Sequence, residues 1–442
     1  MQNGSAPYSQ AYLRYALGLL CVVYIVNMVD RQVLAILLQS IKEDLGLSDL
    51  QLGLLSGTAF GLFYATLGIP IARLADRFSR KGVIAISLAL WSAMTALCGT
   101  AAGFASLLLY RIGVGVGEAG GSPPAHSMIS DYFPPEKRAT ALGIFSLGVP
   151  LGILVGFLSG GWLDETLGWR QAFIVVGLPG LLVSAVVALT LREPPRGLSE
   201  GLQADAGQPV TAIEVIRFMW RARSFRHLSV GSALYAFVAY SATNWAPSFL
   251  SRSHGMEQGD IGTALALIIG IGGGIGIYLG GVIADRLSET NPLGRIRVPM
   301  WAQYLSFPFG FIIYTTDNTV LALALFTMPA FLGLMYQGPV FAVTQSLATP
   351  KMRATAAAVL LFVINIIGLA LGPAITGAIS DALEPSFGDD SLRYALVIIS
   401  CAVAWSGFHF QRAGKTLVAD LEYARAASQR ESRGLSVWES DA

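Results

Sequence analysis

Long segments without any charged residue alternate with short charged segments along the whole chain. Segments such as 50–72, 82–110 and 171–191 contain no Asp, Glu, Lys or Arg, and they match the roughly 20 residues that cross a bilayer as a helix. A similar stretch at 112–130 is interrupted only by Glu118. We therefore predict an all-α polytopic membrane protein with twelve transmembrane helices.

A polar interruption near the middle of the chain separates two predicted bundles of six helices. Two short patterns recur in the second half: Ala75-Asp76-Arg77 returns as Ala284-Asp285-Arg286, and Arg138-Ala139-Thr140 returns as Arg353-Ala354-Thr355. Such internal repeats predict a duplicated, pseudo-symmetric unit. The predicted organisation is a cytoplasmic segment (1–11), a first bundle (12–191), a cytoplasmic linker (192–225), a second bundle (226–414) and a cytoplasmic tail (415–442).

The linker contains its own helix signal. Thr211 and Glu214 have the spacing of a capping box, and apolar and basic residues alternate after them. This pattern predicts a basic amphipathic helix that lies on the inner membrane surface. A solvated linker helix is the alternative.

Charge and composition narrow the class of protein. Charged residues make up 13% of the chain and hydrophobic residues 54%, which argues against an ordinary soluble enzyme. A net charge of +1 gives no basic excess for nucleic acid. With a cytoplasmic N-terminus, most of the 29 basic residues fall in cytoplasmic loops, which predicts a multi-pass inner (plasma) membrane protein with both termini in the cytoplasm.

No pattern of catalytic or metal-binding residues accompanies the apolar segments. The three cysteines and four histidines are widely scattered, and no phosphate-binding loop is present. We therefore expect no enzymatic activity, no cofactor and no metal.

Four ionisable residues fall well inside predicted helices: Asp30, Arg31, Arg111 and Glu118. Each costs about 2.5–3.5 kcal/mol at a helix centre, so each needs a partner, water or a function. We interpret Asp30 and Glu118 as the proton-coupling carboxyls, and Arg31 with Arg111 as the cations that bind an anionic substrate. Static ion pairs that hold the first and fourth helices together are the alternative.

The loop after the second predicted helix resembles the signature loop of the major facilitator superfamily. Leu74, Asp76, Arg77, Arg80 and Lys81 match its pattern, whereas Ala72 and Ser79 stand where glycines are usual. The resemblance implies twelve helices in two six-helix bundles and a conformational switch at Asp76, Arg77, Arg80, Asp285 and Arg286. The alternative is that these charges only anchor the cytoplasmic ends of the helices.

Within that superfamily the chain resembles the Spinster family. The matching residues are Asn27, Asp30 and Arg31; Leu47, Ser48, Asp49, Gln51 and Gly53; Arg111, Gly115, Gly117, Glu118 and Ala119; and Pro134, Pro135, Lys137, Arg138 and Ala139. The resemblance implies transport of lysolipids or sphingoid phosphates and, for bacterial relatives, coupling to protons. It also implies that the first, fourth, seventh and tenth helices line the cavity. Polar and aromatic residues on these helices are the further candidate substrate contacts: Asn27, Tyr235, Asn244, Trp245, Tyr336 and Gln337.

The leading interpretation is a monomeric, proton-coupled secondary active transporter that moves an amphipathic anion by alternating access. Its expected partners are a small amphipathic molecule, protons and membrane lipids. A proton symporter of small organic anions is the nearest alternative. A passive lipid scramblase or channel is an alternative of a different class, and accumulation driven by a pH gradient separates it from coupled transport.

Overall fold

A computed structural model describes residues 8–196, 211–291 and 293–432, apart from the side chains of Ile69, Ala72, Asp76, Pro135, Ala139 and Ser432. Within these residues the backbone forms helices and turns but no β-strand. The predicted all-α class is therefore observed in the described residues. Parts of the predicted N-terminal segment, linker and tail lie outside them.

Apart from the linker near the middle of the chain, the helices follow one another with short connections. In chain order they are α1 (Gln10–Leu45), α2 (Asp49–Gly53), α3 (Ala59–Arg77), α4 (Arg80–Cys98), α5 (Phe104–Glu118), α6 (Ser122–Tyr132), α7 (Pro135–Ser146), α8 (Gly148–Leu167), α9 (Trp169–Thr190), α10 (Ala212–Arg221), α11 (Arg223–His254), α12 (Gln258–Leu265), α13 (Gly273–Thr290), α14 (Gly294–Thr315), α15 (Thr319–Leu334), α16 (Gln337–Ser346), α17 (Arg353–Ile364), α18 (Gly372–Phe387) and α19 (Ser391–Ser432). Three π-helical turns, Leu54–Thr58, Ala266–Gly272 and Asn365–Leu371, join α2 to α3, α12 to α13 and α17 to α18.

The chain divides into two compact units. The first comprises Met1–Asp205 with Met256–Ala266, and the second comprises Ala206–Gly255 with Leu267–Ala442. The first change of unit falls within the predicted linker. The short segment Met256–Ala266 belongs to the first unit, although we predicted it in the second bundle.

Helices of the first unit approach closely where glycines face a neighbour. A Cβ on Gly152 of α8 would lie 2.4 Å from Met28 Cβ on α1, and a Cβ on Gly177 of α9 would lie 2.6 Å from the Ala96 nitrogen on α4. Only glycine permits these approaches without a shift of the helices. The α1–α8 and α4–α9 pairs form much of the packing of this unit.

The segment α12 packs on α8 in the same way. A Cβ on Gly161 would lie 2.3 Å from the Gln258 carbonyl oxygen, and one on Gly262 would lie 2.3 Å from the Phe157 carbonyl oxygen. The Gly259 N–H, in the first turn of α12, also donates to Glu165 Oε2 at 3.0 Å. These contacts explain why the residues around α12 group with the first unit.

The second unit is built around α11 and α19, which pack along much of their length. Its core contains Phe218, Phe225 and Phe410, each at most 2% exposed. The capping box of Thr211 and Glu214 is confirmed at the start of α10. This short helix buries one apolar face in the core of the unit. Its exposed large apolar side chains are Ile213, Ile216 and Trp220.

Eight helical runs among the described residues are long and apolar enough to cross a membrane. One of them, Arg353–Glu431, contains two of the twelve predicted helices. The predicted fourth, seventh and ninth helices are not among the eight. The fourth carries Arg111 and Glu118, and the seventh is rich in Ser, Thr and Asn, so both have less apolar character than their neighbours.

Three of the predicted membrane helices are interrupted by a turn, and one of them is the fifth, which changes from α7 to α8 at Leu147. The fourth consists of α5 and α6, with a turn between Glu118 and Ser122. The tenth consists of α15 and α16, with a turn between Leu334 and Gln337. Broken membrane helices free backbone groups and commonly mark binding sites in transporters. Glu118 is thus the last residue of a half-helix, at the break.

Candidate functional site

The centre of the candidate site is an ion pair between α1 and the break after α5. The Arg31 Nε donates to Glu118 Oε2 at 2.7 Å. The Glu118 side chain is fully buried, whereas the Arg31 side chain is 16% exposed. The two residues that we assigned to substrate binding and to proton coupling therefore contact each other directly.

Two aromatic rings of α3 hold the Arg31 guanidinium. Its Cζ lies 4.7 Å from the Phe60 ring centroid and 4.6 Å from the Tyr64 centroid. Arg111 approaches the same Phe60 ring, at 5.6 Å. Cation–π contacts of this kind fix the direction of a guanidinium while leaving its N–H groups able to bind an anion. Sequence reasoning missed both aromatics, although their i, i+4 spacing places them on one helix face.

Asp30 lies in the same cluster and forms no ion pair with any residue that the structure describes. Its side chain is fully buried next to Thr95, and the charges that act on it are those of Glu118, Arg111 and Arg31. Neither carboxylate oxygen accepts a well-formed hydrogen bond from a described residue. The Nε and Nη1 of Arg111 also lack a hydrogen-bond partner among the described residues. The structure thus brings all four predicted membrane charges together.

Asn27 completes the group in the first unit. Its side chain is 3% exposed and lies beside Glu118. It is one turn of α1 before Arg31, on the side of the helix that faces the broken fourth helix. The polar residues predicted for the site in the first unit therefore lie next to one another in space.

The candidates of the second unit occupy different surroundings. Tyr235 and Tyr336 are buried, and their ring centroids are 4.8 Å apart. Tyr235 also lines a mostly apolar cavity of about 120 Å³ within this unit. Gln337 is partly exposed at the break between α15 and α16.

Asn244 and Trp245 are engaged within the unit. The Asn244 amide donates to the Tyr240 carbonyl oxygen at 2.8 Å. Trp245 is fully buried, and its indole N–H donates to the Pro373 carbonyl oxygen at 3.0 Å. The indole N–H of Trp245 and one N–H of the Asn244 amide therefore bind the backbone of the second unit, which spacing along the sequence did not reveal.

Arg80 is the most strongly held of the predicted switch residues. It is 1% exposed, and it donates to Glu193 Oε1 at 2.7 Å, to Ser127 Oγ at 2.9 Å and to the Pro194 carbonyl oxygen at 2.6 Å. It also forms an ion pair with Asp131. Arg80 therefore ties α4 to α6 and to the start of the linker, all within the first unit.

The pKa of Glu193 depends on the hydrogen bonds that it accepts from Arg80 and its neighbours. Burial raises the pKa of Glu193, but hydrogen bonds from the Lys81 backbone N–H, the Arg80 guanidinium and the Ser79 hydroxyl outweigh that effect. The pKa of this carboxyl is therefore held below its ordinary value.

The other predicted switch residues are more open. Arg77, Asp285 and Arg286 are exposed, and Asp285 pairs with Arg295 at 3.0 Å. The side chain of Asp76 lies outside the described part of the structure. Among the described side chains of the two copies, Ala75 and Ala284 are both buried, and Arg77 and Arg286 are both exposed.

Chemistry other than acid–base and anion binding has little support among the described residues. No group of three His, Cys, Asp or Glu side chains there is placed to hold a metal ion. Cys21, Cys98 and Cys401 are free thiols. The buried cluster of two guanidinium groups and two carboxyls can bind an anion and exchange protons.

Comparison with known proteins agrees with this fold. A model of the Major Facilitator Superfamily matches residues 20–404. An MFS-type efflux pump of Mycolicibacterium smegmatis is 33% identical over 89% of this chain and 90% of its own length. Protein spinster homolog 1 of Homo sapiens is 31% identical over 92% of this chain and 82% of its own. The crystal structure of a bacterial homolog to the human lysosomal transporter Spinster, inward-facing and unoccupied, matches with a TM-score of 0.85 and 31% identity, covering 93% of this chain and 99% of that one.

Proposed function

Because the chain belongs to the major facilitator superfamily and resembles its Spinster proteins, we propose that it is a proton-coupled secondary active transporter of an amphipathic anion. The observation that carries the proposal is the buried cluster of Arg31, Glu118, Asp30 and Arg111 at a helix break. Buried ionisable residues in membrane helices mark substrate and proton pathways.

Charge balance gives the physical reason for coupling. When all four groups are ionised, the two carboxylates and two guanidinium groups sum to zero. An anion that binds Arg31 competes with Glu118 for the same cation and adds negative charge to a site of low dielectric. Protonation of Glu118 or Asp30 restores the balance. Proton and anion binding therefore favour each other, and such linkage is reciprocal.

The substrate class follows from the surroundings of the cations. A guanidinium held against two aromatic rings suits a carboxylate or phosphate headgroup. We retain Tyr235 and Tyr336 as proposed contacts for the apolar part of the molecule, and Asn27 and Gln337 as proposed polar contacts. A lysolipid or a sphingoid-phosphate-like molecule combines these features.

The remaining features of the proposal concern the whole molecule. We propose twelve membrane-spanning helices in the inner membrane with both termini in the cytoplasm. Transport proceeds by alternating access of a monomer, and the residues that switch its state are Asp76, Arg77, Arg80, Asp285 and Arg286.

The test uses purified protein in vesicles with a pH gradient of either sign. The probe is a lysophosphatidylglycerol with a fluorescent acyl chain, and albumin extraction reports the fraction left in the outer leaflet. A gradient should drive net movement by the wild type. Glu118→Gln and Asp30→Asn should abolish the gradient effect while leaving exchange between labelled and unlabelled lipid, because an amide imitates the protonated carboxyl.

Asp44→Asn is the matched control, since this carboxylate belongs to an exposed ion pair with Arg170 in the same unit. Its gradient-driven transport should equal that of the wild type. Gradient-driven movement in the Asp30→Asn and Glu118→Gln double variant would refute the coupling model. Movement that ignores the gradient in wild type would instead identify a passive scramblase, and preference for a four-carbon dicarboxylate would identify a small-anion symporter.

A further inference from the structure

A basic cleft lies on the second unit, and none of its lining residues is among the predicted transport residues. Its volume is about 620 Å³. Four of its eight lining residues carry a permanent positive charge and none is acidic; the full set is Arg223, Arg226, His227, Val230, His409, Arg412, Lys415 and Thr416. We call this feature the α11–α19 cleft.

The two helices present their cations to the same space because of their periodicity. Arg223, Arg226 and His227 are three and four residues apart at the start of α11. His409, Arg412 and Lys415 follow one another at intervals of three on α19. Residues three or four apart share a helix face, and α11 and α19 pack together, so the two basic faces meet.

The positive charges of the cleft are not neutralised within the described residues. Arg223, Arg226, Arg412 and Lys415 are exposed, and their side chains form no ion pair or hydrogen bond there. The Cζ of Arg412 lies 5.8 Å from the centroid of the Phe408 ring. Four like charges around one space repel one another and attract an anion.

The histidine pair adds hydrogen-bond donors to the wall of the cleft. The Nδ1 atoms of His227 and His409 are 3.0 Å apart. One ring donates through Nδ1 and the other accepts, so a neutral accepting ring must carry its proton on Nε2. At least one imidazole N–H therefore remains to donate to a bound anion.

Exposed aromatic residues next to the cleft are of the kind found at a membrane surface. Trp405 is 57% exposed and Phe408 45%, both within two turns of Arg412 on α19. Trp220, at the end of the amphipathic helix α10, is 44% exposed and precedes Arg223. Tryptophan and lysine or arginine together are typical of the boundary between lipid tails and headgroups.

From this arrangement we propose that the α11–α19 cleft binds the phosphate headgroup of an anionic phospholipid, outside the transport site. Arg226 and Arg412 hold the phosphate oxygens as bidentate donors, and the acyl chains lie along Trp405 and Phe408. Basic pockets between membrane helices are suited to such headgroups. On the predicted orientation, the lipid comes from the cytoplasmic leaflet.

The experiment measures thermal stabilisation of purified full-length protein in detergent. Cardiolipin, phosphatidylglycerol, phosphatidylcholine and inorganic phosphate are titrated separately. Cardiolipin and phosphatidylglycerol should raise the melting temperature at low concentration, whereas phosphatidylcholine should not. Arg226→Gln with Arg412→Gln should weaken the apparent affinity for the anionic lipids about 30-fold, since each basic residue contributes about one kilocalorie per mole at an anionic surface.

The control removes the same charge elsewhere. Arg14→Gln with Arg297→Gln changes two exposed arginines outside the cleft and should leave lipid affinity within about twofold of the wild type. Equal weakening in both double variants would show a general charge effect and overturn the site. Stabilisation by inorganic phosphate as strong as that by lipid, and lost in the cleft variant, would overturn the lipid source. If the first variant does not fold, Arg223→Gln with Lys415→Gln carries the same expectation.

Discussion

Removing Arg31 and removing Glu118 should destabilise the protein unequally, because the two side chains differ in their access to solvent. Glu118 is fully buried, while Arg31 is 16% exposed and also rests on Phe60 and Tyr64. Arg31→Ala leaves a carboxylate without its hydrogen-bonded cation. Glu118→Gln leaves a guanidinium that keeps its aromatic contacts and a neutral acceptor.

The magnitudes follow from this difference. Breaking a buried ion pair costs about 3–5 kcal/mol when it strands a buried charge. The charge of Arg111 still acts on Glu118, so we expect Arg31→Ala at the lower end, about 3 kcal/mol. Glu118→Gln loses only the charge-assisted part of one hydrogen bond, about 1 kcal/mol. The double variant strands no carboxylate, and it should therefore be more stable than Arg31→Ala alone.

The assay is reversible unfolding in detergent, followed by circular dichroism, for wild type, both single variants and the double variant. The exposed pair of Asp44 and Arg170 provides the control cycle, since its side chains are 45% and 40% exposed. Its coupling should stay below about 1 kcal/mol. The cost of Arg31→Ala should also shrink as the pH falls, because a protonated Glu118 needs no cation.

Two outcomes would refute this reasoning. One is a Glu118→Gln variant that loses as much stability as Arg31→Ala. The other is a double variant that is the least stable of the three. Either result would show that the difference in burial between the two side chains does not govern the energy of the Arg31–Glu118 pair.

Two further predictions concern packing and the linker. Gly177→Ala should lower the free energy of unfolding by about 1–3 kcal/mol, because the added Cβ meets the Ala96 backbone. Gly143→Ala is the control and should be neutral or stabilising, since nothing lies within 4 Å of its added Cβ. Equal melting temperatures of the two variants would contradict this prediction. Glu193→Gln should lower the melting temperature at neutral pH. The pKa of Glu193 in the folded protein lies below its ordinary value of 4.5. The stability that its carboxylate contributes is therefore present above pH 4.5 and is lost as the pH falls through the folded pKa, so the melting temperatures of wild type and variant should converge in acid. A difference in melting temperature that does not change with pH would count against this prediction.

Features that depend on local sequence were predictable. The helix α10 follows from the capping box of Thr211 and Glu214, since both residues act on their own first turn. The length of the segments without charged residues likewise predicts long apolar helices. The burial of Asp30 and Glu118 follows from the position of each in its segment.

The contact between Arg31 and Glu118 was not predictable from these local features of the sequence. Whether Arg31 reaches Glu118 depends on the axial offset between α1 and α5, which no single helix specifies. Sequence reasoning treated the fourth predicted helix as continuous, but a turn follows Glu118 directly. Phe60 joins the site from a third helix, and its apolar surroundings in the sequence resemble those of any membrane residue.

The repeated Ala-Asp-Arg pattern also shows that side-chain partners cannot be predicted from the sequence alone. A repeat predicts that two segments follow the same path, because it preserves the turns and the apolar faces. It does not specify their partners. Arg80, three residues after the first copy, is buried where Glu193 reaches it from outside the repeat. Among the described residues, Asp285 of the second copy pairs with Arg295, which is only half-buried. We therefore expect the loop that follows α3 to be more firmly held than the loop that follows α13.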